Sequence, residues 1–203
     1  MKKISLFLSM ALTIFATTFV SCGDDPVTPD DPNNPENQAN YEVYSVNTTL
    51  NYNSVNASEG SAFCASSQQA VPANSSSADI CAAWQNQYGV VLCSPNSKWL
   101  KEMYELNSSA VFSNSKATKI QKVASGDVKD YAESSSFDNL SISSSYIGGS
   151  SNLGVGVSNL NNGDIVAFEA SDGTKGVIKV SSSKVKKAVT ITGYVAVPKN
   201  ASH

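Results

Sequence analysis

Residues 79–94 constrain the fold more than any other part of the chain. Two apolar runs, Ile80-Cys81-Ala82-Ala83-Trp84 and Gly89-Val90-Val91-Leu92-Cys93, flank a polar tip, Gln85-Asn86-Gln87-Tyr88. A hairpin pairing Trp84 with Val90 also sets Ala82 opposite Leu92 and Cys81 opposite Cys93. Because successive strand residues point to opposite faces, one face then carries Ile80, Ala82, Trp84, Val90 and Leu92. The other carries Cys81, Ala83, Val91 and Cys93. Both faces are apolar, so these are expected to be central strands covered on both sides. A slip of one residue would break the cysteine pairing.

The surrounding sequence has the same texture: rich in Ser, Asn and Thr, with short apolar alternations that favour strands over helices. Residues 41–46 open as a strand. Residues 58–77, with Phe63 and Val71 as their only large apolar residues, read mostly as loop. Residues 117–123 alternate as a strand, and 126–131 suit a short helical turn. Residues 140–147 and 153–157 read as strands joined around Gly148-Gly149. Asp164-Ile165-Val166-Ala167-Phe168 and Gly176-Val177-Ile178-Lys179-Val180 form the clearest turn-linked hairpin, through Ser171-Asp172-Gly173. In residues 189–197, Val189, Ile191, Val195 and Val197 are expected to face in, and Thr190, Thr192 and Tyr194 out. Gly193 interrupts the inner row as a candidate bulge.

One helix is expected after the first hairpin. Ser94 serves as its cap and Pro95 as its first residue. Trp99, Leu100, Met103 and Tyr104 recur at helical spacing, a stripe that reads as core. Lys98–Glu102 and Lys101–Glu105 lie four apart on the solvent side, and Asn107 ends the helix. The fold class that follows is mainly β: an antiparallel sandwich or partial barrel with one or two short helices, with α+β as the alternative.

The N-terminal part is of another kind. After Lys2 and Lys3, residues 4–20 are uncharged and mostly Leu, Phe, Ile, Ala and Val, which fits a secretory signal at residues 1–21. Phe19-Val20-Ser21-Cys22-Gly23 follows, and this resembles the lipobox of bacterial lipoproteins. The resemblance implies cleavage before Cys22 and lipid attachment to its sulfur and amine, hence a membrane anchor without a spanning helix. The run is only marginally long enough to cross a bilayer, and Ser9, Thr13, Thr17 and Thr18 dilute it. Residues 22–40 then form a tether with four Pro, four Asp and one Glu and no aromatic or basic residue. That composition predicts an extended, unfolded spacer. Asp24-Asp25 resembles the surface-export signal of Bacteroidetes lipoproteins, which implies an outer-membrane address facing the cell exterior.

Residues 41–203 are long enough for one domain with a hydrophobic core. With Lys2, Lys3 and the five tether acids set aside, they carry twelve acids and twelve lysines, so the domain is neutral. The chain has no arginine. Without a basic footprint or guanidinium forks, nucleic acid is not an expected partner. The only histidine is His203, so nucleophile–histidine pairs and the common zinc sites lack their residues. No metal, cofactor or catalytic residue is assigned. Paired-carboxylate glycosidase chemistry remains open because it needs only Asp and Glu, yet Asp127, Asp130, Asp138 and Asp164 show no spacing that singles them out. Once Cys22 is acylated, Cys64, Cys81 and Cys93 remain, an odd number. A Cys81–Cys93 disulfide is the pairing the hairpin register permits; which two of the three pair, if any, stays open.

Three further stretches resemble a domain recurrent in uncharacterised lipoproteins of gut Bacteroidetes. They are Ser77-Ala78-Asp79-Ile80 leading to Leu92-Cys93-Ser94-Pro95-Asn96, then Ala117-Thr118-Lys119-Ile120, and Gly163-Asp164-Ile165-Val166-Ala167-Phe168 with Asp172-Gly173-Thr174-Lys175-Gly176. The likeness spans most of residues 60–197 and is loose between the motifs. The family pattern tends to an aromatic where Ile120 stands and does not require the cysteines. It carries over no catalytic residue. Together these readings lead to the expectation of a non-catalytic surface binding module for a glycan or protein ligand. The alternatives are a structural or adhesive subunit of a surface assembly and a carboxylate-based glycan-active enzyme.

Overall fold

The computed structural model describes residues 40–52, 60–103, 116–184 and 187–199, with the side chains of 101–103 left aside. The signal segment, Cys22 and nearly all of the tether lie outside the described residues, as do Tyr104, Asn107, the Met103 side chain and the two helical Lys–Glu pairs. The strands are β1 (Tyr41–Asn51), β2 (Ala62–Cys64), β3 (Gln69–Val71), β4 (Ile80–Gln85) and β5 (Gly89–Cys93). After α1 (Lys98–Met103) come β6 (Thr118–Val123), a 3-10 turn at Val128–Tyr131, α2 (Ser135–Asp138) and a second 3-10 turn at Ile147–Gly149. Then follow β7 (Gly156–Val157), β8 (Ile165–Ala170), β9 (Lys175–Lys184) and β10 (Ala188–Pro198).

These strands make two five-stranded antiparallel sheets, ordered β1-β10-β9-β8-β6 and β3-β2-β4-β5-β7. The fold is a β-sandwich, not a closed barrel. The main core lies between the sheets and includes Leu50, Phe63, Ile80, Leu92, Ile120, Phe168, Ile178 and Ile191. Each such side chain contributes roughly 1.5–3 kcal/mol by leaving water. Each outer face is also covered. On the first sheet, Phe137 and Ile142 pack against Ala167, Val177 and Ala196. On the second, Trp99, Leu100 and Ile147 pack against Cys81, Ala83, Val91 and Cys93. This is why both faces of the β4–β5 hairpin are apolar.

The hairpin register is as the sequence predicts: Trp84 pairs with Val90, Ala82 with Leu92 and Cys81 with Cys93. Both cysteines are nevertheless free, buried thiols, as is Cys64. The Cys81 thiol donates to the Ala73 carbonyl at 3.8 Å. The β8–β9 hairpin also forms through the expected turn. Gly173 there adopts φ 84°, a left-handed conformation suited to glycine, while Asp172 Oδ1 accepts the Thr174 N–H at 3.0 Å.

Four local expectations are corrected. The segment 58–77, read as loop, supplies β2 and β3, whose pairing sets Phe63 opposite Ala70. The helix begins at Lys98, not Pro95, because the Ser94 hydroxyl is used elsewhere: it accepts the Thr118 N–H at 2.9 Å. Residues 140–147 are no strand. They run along the edge of β6, where the Ser145 N–H donates to the Ile120 carbonyl and the Ser145 carbonyl accepts the Gly156 N–H. The segment thus ties the two sheets together along one side. The bulge lies between Thr190 and Ile191 against β9, not at Gly193. Gly193 has a different cause: a Cβ there would stand 2.2 Å from the Val177 carbonyl oxygen and 2.9 Å from Ile178 Cα.

Candidate functional site

At one end of the sandwich, where β5 leaves the second sheet and β6 and the β8–β9 turn belong to the first, the chain builds a polar clasp. Asp79 immediately precedes β4, and its side chain is only 3% exposed. Its Oδ2 accepts the Ala65 N–H at 2.7 Å, and its Oδ1 accepts the Lys116 Nζ at 3.0 Å. Lys116 also donates to Asp172 Oδ2 at 2.6 Å. The Asp79 backbone carbonyl takes the Thr118 hydroxyl at 2.7 Å. One ammonium therefore joins a carboxylate of each sheet.

Burial raises the Asp79 pKa, and the Asp172 charge adds to this, outweighing the Ala65 N–H and the Lys116 ammonium. For Asp172, burial also pushes upward, but Lys116 and Thr174 overcome it and hold the carboxyl below its ordinary value. Burial lowers the Lys116 pKa, yet the two carboxylates more than compensate and leave it raised.

Above the clasp lies a cleft of about 370 Å³ lined by Ser94, Asn96, Thr118, Lys119, Ser144, Val155, Glu169 and Ser171, with Ala117, Ala170 and Gly173. Ser94 Oγ, at the cleft wall, donates to Asn96 Oδ1 at 2.7 Å. Lys119 and Glu169 face each other across the β6–β8 pair and form an ion pair at 3.0 Å. Tyr146 bridges to Val155 in an antiparallel pair. The bridge joins the Tyr146 backbone to that of Val155, one of the lining residues. At 45% exposure Tyr146 is the exposed large hydrophobic among the described residues. The lining offers the exposed hydroxyls of Ser144 and Ser171, the Asn96 side chain and the Lys119–Glu169 pair next to small apolar walls, while the hydroxyls of buried Ser94 and Thr118 are spent on bonds within the fold.

The four aspartates considered from sequence are elsewhere. Asp127 and Asp130 close the capping box of the first 3-10 turn. Asp138 accepts from the Asn40 side-chain amide at 3.1 Å. Asp164 binds Lys122 and the Asn161 N–H, both at 2.8 Å. The acids that matter here are Glu169 at the cleft and Asp79 and Asp172 beneath it, each paired with a lysine. Sequence reasoning passed over them because Asp172 reads as a turn residue and Asp79 as a strand flank. The available signal was the cross-strand placement of Lys119 against Glu169. Among the described residues no group of three or more His, Cys, Asp or Glu is placed to hold a metal ion.

Comparison with known proteins returns no match, whether among family models, curated proteins or solved structures. The functional reading therefore rests on the residues themselves.

Cys81 and Cys93 fall on the outer face of the second sheet, and none of the three cysteines is among the residues lining the cleft. Burial pushes the thiols of Cys81 and Cys93 well up, which suits packing and not nucleophilic chemistry. Burial acts upward on Cys64 too, but hydrogen bonds with Ser66 and Ser67 outweigh it and leave its pKa lowered.

Proposed function

We propose that this protein is a lipid-anchored cell-surface module that binds a glycan, without catalysis, in the cleft between Ser94, Thr118, Ser144 and Glu169. The observation that carries the reading is the lining of that cleft: the exposed hydroxyls of Ser144 and Ser171, the Asn96 side chain and the Lys119–Glu169 pair, with the exposed Tyr146 joined by its backbone to the lining residue Val155. Sugars present many hydroxyls and apolar C–H faces, so a site that alternates donors and acceptors beside an aromatic ring suits them. The bordering carboxylates each carry a lysine, an arrangement that keeps them as fixed acceptors. A glycosidase needs one carboxyl free to give a proton and another free to attack or activate water. The lipobox-like stretch at Cys22 and the acidic residues after it support the surface address.

The test is titration calorimetry of the protein against a panel of neutral and acidic oligosaccharides, followed by variants. Tyr146→Ala, Ser144→Ala and Glu169→Gln are each expected to weaken a binding sugar by about tenfold, near 1.4 kcal/mol, with the melting temperature little changed. No binding across the panel at high protein concentration, or binding that all three variants leave intact, overturns the reading.

A further inference from the structure

β1 is an edge strand. It pairs with β10 on one side in a register that is unbroken from Tyr41–Pro198 to Asn51–Ala188. The Lys199 N–H donates to the Asn40 carbonyl and the Tyr52 N–H to the Lys187 carbonyl, so the even-numbered residues direct their backbone groups at β10. The odd-numbered residues then direct theirs outward, away from the sheet. Two of these find partners at the ends: the Tyr41 N–H donates to Ser134 Oγ at 3.3 Å, and the Asn51 N–H to the Gly60 carbonyl at 3.0 Å. Between them, Val43, Ser45, Asn47 and Thr49 present outward N–H and C=O groups with no partner among the described residues.

Sheet edges are ordinarily guarded by lysine, proline, a bulge or a covering segment. β1 contains neither lysine nor proline, and its register shows no bulge. Its one charge is Glu42. The open stretch is symmetric about Val46. Two copies laid antiparallel about a two-fold axis at Val46 place Ser45 opposite Asn47 and Val43 opposite Thr49, and each opposed pair can exchange both backbone hydrogen bonds. Glu42 then faces Leu50 of the second copy, so no like charges meet. The inward-facing residues of both copies stay on the same side, which keeps the two cores continuous.

We propose that two copies of this chain pair edge to edge through β1, joining their first sheets into one ten-stranded sheet about a two-fold axis at Val46. This surface lies outside the cleft and does not depend on the glycan reading. An isologous contact of this kind closes at two copies, because each copy spends its one free β1 edge.

The test measures the mass of the full chain, as isolated from cells, by sedimentation, and reads the register by cross-linking. The double variant S45C/N47C puts cysteines opposite each other across the axis, with Cα atoms about 5.5 Å apart and so within disulfide reach. Mild oxidation is expected to give a covalent dimer, whereas Thr49→Cys alone, which faces Val43 of the second copy, gives none. Ser45→Pro removes an outward N–H without touching the β10 ladder, the one setting in which a strand tolerates proline. S45K/N47K sets lysine against lysine at exposed positions. Each is expected to halve the mass while circular dichroism stays unchanged, and if Ser45→Pro fails to fold, S45K/N47K decides. A chain that is monomeric up to about 1 mM, or a dimer that persists in S45K/N47K, overturns the proposal. So does a monomer that instead takes up an extended peptide along β1.

Discussion

Replacing Lys116 with Met should expose how the two sheets are fastened at the cleft end. The Asp79 side chain is 3% exposed, and Lys116 is its cationic partner at 3.0 Å. Removing one member of a fully buried pair costs about 3–5 kcal/mol, because the other charge is left without compensation. Lys116 is itself 27% exposed, so water already screens part of the attraction. The expected loss is therefore lower, roughly 2 kcal/mol at neutral pH. Asp79→Asn should cost less, about 1 kcal/mol, because the amide oxygen can still accept the Ala65 N–H while Lys116 keeps Asp172. In the double variant no buried charge remains unpaired, so its loss should fall short of the sum of the two by at least about 1 kcal/mol.

The sign of the pH dependence is set by the same burial. Asp79 has a raised folded-state pKa, and losing Lys116 raises it further. A group of this kind contributes most below its unfolded pKa and loses that contribution as pH rises through the folded value. Lys116→Met should therefore lose less stability relative to the parent as the pH is lowered from about 7 to about 5. Urea unfolding followed by the fluorescence of Trp84 and Trp99, at both pH values, measures all four corners of the cycle. A coupling below about 0.5 kcal/mol, or a Lys116→Met penalty that grows on acidification, would refute the clasp.

Gly193→Ala should lower stability by at least about 2 kcal/mol, since the new methyl meets the β9 backbone at Val177 and Ile178; an unchanged urea midpoint would contradict this. In the native protein, thiol reagents should label Cys64 first and reach Cys81 and Cys93 only on unfolding, read by mass spectrometry of the labelled peptides; equal native labelling of the three would overturn it. Asp164 and Asp172 have lowered pKa values, so their stabilisation holds above the ordinary carboxylate range and is lost as pH falls through the folded values, below about pH 4. Asp164→Asn should flatten that acid loss, measured as the urea midpoint against pH.

The sequence made some of this legible and hid the rest for identifiable reasons. The β4–β5 register could be read because the polar tip between Trp84 and Val90 places the turn, and in a hairpin the turn sets the register. β2 and β3 could not, because three-residue strands built on Ala62, Cys64 and Ala70 are too short and too small to show alternation. Residues 140–147 alternate convincingly, yet Ile142 packs on the outer face of the first sheet and Ile147 on that of the second. Their spacing reflects two separate cores, not one strand. The misplaced start of α1 has a similar origin: the hydroxyl of Ser94 serves an amide at Thr118, far along the chain. The cleft draws on Ser94, Thr118, Ser144 and Glu169, which no local pattern unites. Only the topology brings them together.

The position of β1 bears on how a ligand would reach the cleft. Tyr41, where the N-terminal segment joins the domain, pairs with Pro198. Gly173, at the cleft wall, lies against the same proline: a Cβ there would stand 3.3 Å from Pro198 Cγ. The chain therefore enters the domain at the end that carries the cleft, and on the proposed anchoring that end is tethered toward the membrane. A short linker would leave the cleft accessible to small sugars and obstructed for polymers. If residues 23–40 are extended as their composition predicts, ~3.1 Å per residue gives a reach of about 55 Å, which would free that end. Deleting residues 26–37 leaves a reach of only about 20 Å. On intact cells this deletion should reduce capture of a long polysaccharide severalfold while binding of a short oligosaccharide stays near the parent value, both measured with fluorescent ligands. Equal loss of the two would point to a misfolded or misplaced protein. If neither were lost, tether length would have no part in access, and the cleft would have to be open from a direction the membrane does not obstruct.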